Sequence, residues 1–108
     1  MFFNKCYKSI CAEETKKILK QTEGAMLLDV REIEEYKSGH IAGSKNISVS
    51  SLGYMKSKLP KDKKSPIITY CLSGARAKTA CKMLSNLGYE DIYCLGGLAS
   101  WPYGFVRK

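Results

Sequence analysis

A short apolar run, Pro66-Ile67-Ile68-Thr69-Tyr70, passes through Cys71-Leu72-Ser73-Gly74-Ala75-Arg76 into a stretch with helical spacing. This junction restricts the fold more than any other feature of the chain. The run is continuous rather than alternating, the pattern of a strand covered on both faces, and proline is tolerated at its first position. Beyond the loop, Ala77, Ala80, Cys81, Leu84 and Leu87 recur at helical spacing, and Gly88 supplies the C-terminal stop. Strand, tight loop and helix form the unit from which parallel α/β sheets are built, and sites in such sheets lie at the C-terminal ends of the strands. Cys71 falls on that edge.

The rest of the chain carries the same alternation. Tyr7 to Ile10 reads as a short first strand. Ala12 to Gln21 places Glu13 and Glu14 early and Lys16, Lys17 and Lys20 late, the order a helix dipole prefers. Cys11 occupies the N-cap slot of that helix, where Ser or Thr would serve better. Ala25 to Val30 is a buried strand, Ile33 to Ser38 a short helix stopped by Gly39, and Lys45 to Ser48 a further strand. Ser50 or Ser51 is expected to cap a helix running to about Leu59, where Pro60 ends it. Asp91 to Leu95 is the last strand, ended by Gly96-Gly97. The expectation is one α/β domain with a mostly parallel sheet and helices on both faces. Asp29-Val30-Arg31 falls on the same sheet edge as Cys71.

Charge and cysteine usage narrow the function. The 108 residues carry a net charge of +8, but the lysines are scattered and no aromatics alternate with them, so nucleic acid is not the expected partner. Attraction of small anions is the better use of that charge. No apolar run approaches the length needed to cross a bilayer, and residues 1–8 lack the pattern of a secretory signal. The five cysteines, Cys6, Cys11, Cys71, Cys81 and Cys94, are odd in number and show no CxxC spacing. This argues against a disulfide framework and a zinc site, and for a reducing cytoplasm. No metal and no cofactor is expected.

The loop itself points to chemistry. A cysteine between a strand's end and a helix's first turn faces unpaired amides and the positive end of the helix dipole, a field that favours thiolate over thiol. Arg76 adds a full charge, and from Lys63 to Tyr89 there is no Asp or Glu. Cys71 is therefore the candidate nucleophile in an anion-binding loop. The single histidine, His40, sits in a Gly-His-Ile turn, which weakens any Cys-His protease or acyltransferase reading. Cys81 shares the apolar helix face and Cys94 sits inside a strand pattern, so both read as packing residues. Cys6 and Cys11 read as incidental. Trp101 and the glycine pair read as packing and turn residues, while Lys78 either attracts anions at the entrance or faces water.

Three segments in order resemble the rhodanese (sulfurtransferase) family. They are Leu28-Asp29-Val30-Arg31-Glu32 continuing through Glu35-Tyr36 to Gly39-His40-Ile41-Ala42-Gly43-Ser44-Lys45-Asn46-Ile47, the Cys71 to Arg76 loop, and Leu95-Gly96-Gly97-Leu98 with Ala99-Ser100-Trp101. The resemblance implies a rhodanese-like domain over residues 9–108, with residues 1–8 as an extension or lead-in to the first strand. It implies a five-stranded parallel core and a cysteine that carries sulfane sulfur as a persulfide. Cys71 then matches the nucleophile, and Leu72, Ser73, Gly74, Ala75 and Arg76 match the loop that cradles the bound sulfur. Arg76 matches the basic residue that closes it, and Asp29 and Arg31 match positions that brace the loop from beside it.

The implied activity is sulfur transfer from thiosulfate, or from a persulfide, to cyanide or a thiol. A different class of reading is a carrier module that takes persulfide from a partner protein, for which the Lys56 to Lys64 segment is the candidate docking surface. A phosphatase-like or arsenate-reductase-like domain is the third. Only four residues separate Cys71 from Arg76, however, and so small a ring suits one sulfur atom better than a tetrahedral oxyanion.

Overall fold

A computed structural model describes residues 6–107. The N-terminal lead-in expected over residues 1–8 therefore falls mostly outside the described residues. The strands are β1 (Lys8–Ser9), β2 (Met26–Asp29), β3 (Lys45–Asn46), β4 (Ile67–Cys71) and β5 (Ile92–Gly97). The helices are α1 (Ala12–Gln21), α2 (Ile33–Ser38) and α3 (Ala75–Asn86). The five strands form one sheet in the order β1-β5-β4-β2-β3, and every pairing is parallel.

Period-two alternation explains why the strand sequences are apolar throughout. Leu28, Ile67, Cys71, Ile92 and Cys94 pack on one face with Ala77, Ala80, Cys81 and Leu84 of α3. Leu27, Ile68, Tyr70 and Leu95 pack on the other with Ala12 of α1 and with Trp101. The strands β2, β4 and β5 thus each feed two cores. A buried aliphatic side chain in such a layer stabilises by about 1.5–3 kcal/mol relative to exposure.

The cap of α1 forms with sulfur in place of a hydroxyl. The Glu14 amide donates to Cys11 Sγ at 3.4 Å, and the Cys11 amide donates to Glu14 Oε1 at 3.2 Å. Cys11 thus completes a reciprocal capping box.

Two expectations are corrected. The helix from Ser50 or Ser51 to Leu59 does not form; short 3-10 turns at Val49–Ser51 and Lys56–Lys58 take its place. Only Leu52 and Leu59 in that stretch are fully buried, too few for an apolar helix stripe, and Gly53 lies between the turns. The serine hydroxyls are also engaged locally, with Ser48 Oγ donating to Ser51 Oγ at 3.0 Å. The second correction concerns β5, which continues through Gly96 and Gly97 instead of ending before them. Its register shifts against β4, so that Tyr70 pairs with Gly96 and Cys71 with Gly97. The reason is steric and lies in the loop that follows Cys71.

Candidate active site

The C-terminal ends of β2, β4 and β5 converge on one edge of the sheet. Cys71 closes β4, and the chain turns through Leu72, Ser73 and Gly74 into α3. Gly74 holds φ at +105°, a left-handed conformation that L side chains rarely adopt, and this reversal aims the loop amides back at the sulfur. The Gly74 amide donates to Cys71 Sγ at 2.9 Å and the Ala77 amide at 3.4 Å. These are groups a helix would otherwise leave without partners at its N-terminus. Cys71 is fully buried, whereas Leu72 above it is 58% exposed.

β5 serves as the floor of the loop. Ser73 bridges Gly97, and the Leu98 amide donates to the Leu72 carbonyl at 3.2 Å. A Cβ on Gly97 would stand 2.7 Å from the Leu72 carbonyl oxygen, closer than real Cβ contacts come, and a tight 3.2 Å from Ser73 C. Gly97 is thus required by close approach of two backbones, while Gly96 is favoured by its left-handed φ of +94°, in keeping with the turn role expected for it.

From the other side, β2 braces the same edge. Asp29 and Arg31 form a buried ion pair, with Arg31 Nη2 donating to Asp29 Oδ2 at 2.6 Å and Arg31 Nε to Oδ1 at 3.0 Å. Burial works against the Arg31 cation, but the bonds and charge of Asp29 outweigh it and hold its pKa above the usual value. Arg31 Nη2 also donates to the Gly39 carbonyl at 2.7 Å. Asn46 Nδ2 spans the Asp29 and Arg31 carbonyls at 3.0 and 2.9 Å. The Val30 amide then donates to the Tyr70 carbonyl at 3.1 Å, which ties the ion pair to the residue before the cysteine.

Arg76, expected over the loop, is gripped by Glu35 of α2. Its Nη1 donates to Glu35 Oε1 at 2.7 Å and its Nη2 to Oε2 at 3.0 Å. These bonds hold the Glu35 carboxyl down to about 2, against its burial, and raise the Arg76 pKa. The sequence contained Glu35 within a recognised motif but did not reveal its role. An acidic residue on α2, near in space to the one arginine of the cysteine loop, was the available signal. Ala77 and Asn46 were missed as well; both contribute through position, one by its amide and the other by reaching two carbonyls.

His40 stands in its turn as a structural residue. Its Nδ1 lies 2.8 Å from the Tyr36 carbonyl, its ring stacks on Tyr36 at 3.6 Å, and its backbone exchanges two hydrogen bonds with Val106. Cys81 and Cys94 lie deeper in the α3 face of the core. The basic Lys56 to Lys64 segment is not beside the loop. Lys58 and Lys61 line a groove of about 440 Å³ with Gly24, Met26 and Ser65, at the N-terminal ends of β2 and β4, the end of the sheet opposite Cys71. A groove of about 830 Å³ along α1 and Trp101 does not include Cys71 either. Among the described residues no cluster of three or more His, Cys, Asp or Glu is placed to hold a metal ion, and no helix is long and apolar enough to cross a membrane.

The central strand of the parallel sheet thus delivers Cys71 to two backbone amides. A family model for the rhodanese-like domain matches residues 12–102. The chain belongs to the rhodanese-like domain family. It is 40% identical over 78 residues to the uncharacterized protein YqhL of Bacillus subtilis (strain 168), a match covering 71% of this chain and 60% of that protein. It is 29% identical over 103 residues to the thiosulfate sulfurtransferase GlpE of Pseudoalteromonas translucida, covering 94% of this chain and 95% of that one. Among solved structures, a rhodanese-related protein from Thermoplasma volcanium superposes with a TM-score of 0.78 at 35% identity, over 94% of this chain and all of that one.

Proposed function

We propose that this protein is a sulfurtransferase that carries sulfane sulfur on Cys71, with thiosulfate as a donor. The observation that carries the reading is the pair of amides, from Gly74 and Ala77, directed at Cys71 Sγ within a loop that leaves four residues between Cys71 and Arg76. Relatives named thiosulfate sulfurtransferase, alignable over nearly the whole chain, support it.

The reaction balances without a cofactor or a general acid. The Cys71 thiolate attacks the outer sulfur of thiosulfate, a bond forms between the two sulfurs, and the bond to the oxidised sulfur breaks. Sulfite leaves with the electron pair. A nucleophile such as cyanide or a thiolate then attacks the outer persulfide sulfur, and Cys71 departs as thiolate. Backbone donors stabilise the anionic sulfur at each stage because they are oriented before reaction and need no reorganisation. Arg76, one-third exposed and paired with Glu35, provides the cation at the loop for the donor's negative charge. The exposed stretch Leu72, Ser73 and Ala75 is the side from which a donor reaches the covered sulfur.

Intact-mass measurement after incubation with thiosulfate tests this. One added sulfur atom, removed by cyanide and absent in Cys71→Ser, is the expected result. A folded wild-type protein that never gains sulfur from thiosulfate or from a persulfide would overturn it. A phosphatase reading would require aryl-phosphate hydrolysis that disappears in the same variant.

A further inference from the structure

A groove of about 610 Å³ opens beside the cysteine loop, lined by Arg31, Ser38, Gly39, Leu98, Phe105 and Arg107. Two contacts fix its place at the reactive edge. Leu98 bonds to Leu72, the residue after the nucleophile, and Arg31 follows Val30, whose amide bonds to Tyr70 just before it. The groove therefore adjoins the Cys71 loop at Leu98, with Ser38 and Gly39 at the C-terminal end of α2, the helix whose Glu35 grips Arg76.

Its lining combines two cationic groups with an apolar wall. Arg31 is 4% exposed, and its Nη1 makes no hydrogen bond among the described residues, although its Nε and Nη2 are fully engaged. The Arg107 Nε donates to the Ser38 carbonyl at 3.0 Å, which anchors the guanidinium at the rim; its two Nη groups make no bond among the described residues. Phe105 is half-exposed beside it. The tail carrying both residues is held by the paired backbone bonds between Val106 and His40, each 2.8 Å, so the groove wall is in place before anything binds. A volume of this size matches small-molecule sites more than flat protein interfaces.

Resting on the sulfur-transfer reading above, we infer that this groove is the acceptor subsite and that it selects small thiols bearing a carboxylate. The carboxylate binds Arg107 and the outward edge of Arg31, while the aliphatic part of the acceptor lies on Phe105 and Leu98. The acceptor's thiolate then attacks the outer sulfur of the Cys71 persulfide. The bond from that sulfur to Cys71 Sγ breaks, and the products are the acceptor persulfide and the Cys71 thiolate. No oxidant or reductant is consumed.

The test starts from protein loaded on Cys71 with thiosulfate and separated from the donor. Sulfur removal is followed by mass with 3-mercaptopropionate, with 2-mercaptoethanol at matched thiolate concentration, and with cyanide as a reference too small to fill the groove. The wild type is expected to favour the carboxylated thiol over the uncharged one by roughly tenfold in kcat/KM, the size of one charge-assisted hydrogen bond. In Arg107→Gln that preference falls towards one, through KM, and Arg107→Lys restores part of it. Equal use of both thiols by the wild type, or an unchanged preference in Arg107→Gln, would overturn the subsite. A loaded protein that discharges to cyanide but does not distinguish the thiols sinks only this inference. Failure to load at all sinks the sulfur-transfer reading with it.

Discussion

Cys71 and Cys81 are equally buried, face the same side of the sheet and belong to one apolar cluster, yet their sulfurs meet opposite partners. Cys71 Sγ is approached by two backbone N–H groups. Cys81 Sγ donates towards the Tyr93 carbonyl at 3.6 Å and lies 3.1 Å from the Thr69 hydroxyl. The neighbouring Cys94, with burial, pushes the Cys81 thiol up, and Cys81 in turn draws Cys94 down against its burial. Burial therefore does not set Cys71, the proposed nucleophile, apart from Cys81. The sense of the hydrogen bonds around the sulfur does.

Substitution at the two sulfurs should break the comparison most sharply. Cys71→Ser is expected to abolish sulfur loading while leaving the thermal transition nearly in place. Cys81→Ala should load as the wild type does but lose about 1–2 kcal/mol in denaturant unfolding, from the small cavity it leaves. Loading that survived in Cys71→Ser and vanished in Cys81→Ala would reverse the assignment.

The edge position of Cys71 adds a dependence on β2 that Cys81 lacks. Asp29→Ala strands Arg31 as a buried, uncompensated cation, and chemical denaturation should show a loss of about 3–5 kcal/mol. Gly97→Ala drives a Cβ into the Leu72 carbonyl, so overpacking of about 1–3 kcal/mol and slower loading from thiosulfate are expected together. Unchanged loading in that variant would show that the loop's seat on β5 is dispensable.

The smallest effect concerns the Arg76–Glu35 pair. Glu35 titrates lower in the folded protein than in the unfolded chain, because Arg76 binds its charged form. Its contribution is complete above an ordinary carboxylate pKa of 4.5 and is lost as pH falls towards about 2. The pair is partly exposed, so the loss should stay below about 1 kcal/mol. Comparing acid unfolding of wild type and Glu35→Gln checks the sign, since the variant should lack this part of the slope.

Much of the fold was legible because its signals are local. The apolar runs, the charge order along α1 and the Gly88 stop act within a few residues, and α1, α2 and α3 stand where that spacing put them. The segment after Ser48 was not legible, since serine capping and a later proline resemble helix boundaries even when too few apolar residues lie between them. In the site, Cys71 and its loop were readable from order along the chain. The Glu35 grip on Arg76 and the intolerance of Gly97 to a side chain were not. Both arise from contacts between distant segments, and the β4–β5 register shift that seats Gly97 leaves no local trace.

The placement of β1 beside β5 joins the first and last strands of the sheet. During synthesis the ribosome releases β4 and its cysteine well before β5, so the thiol spends an interval without the glycine floor that orders its surroundings. The seat of the Cys71 loop is complete only once β5 has paired with β4, so the order of the loop follows the closing of the sheet.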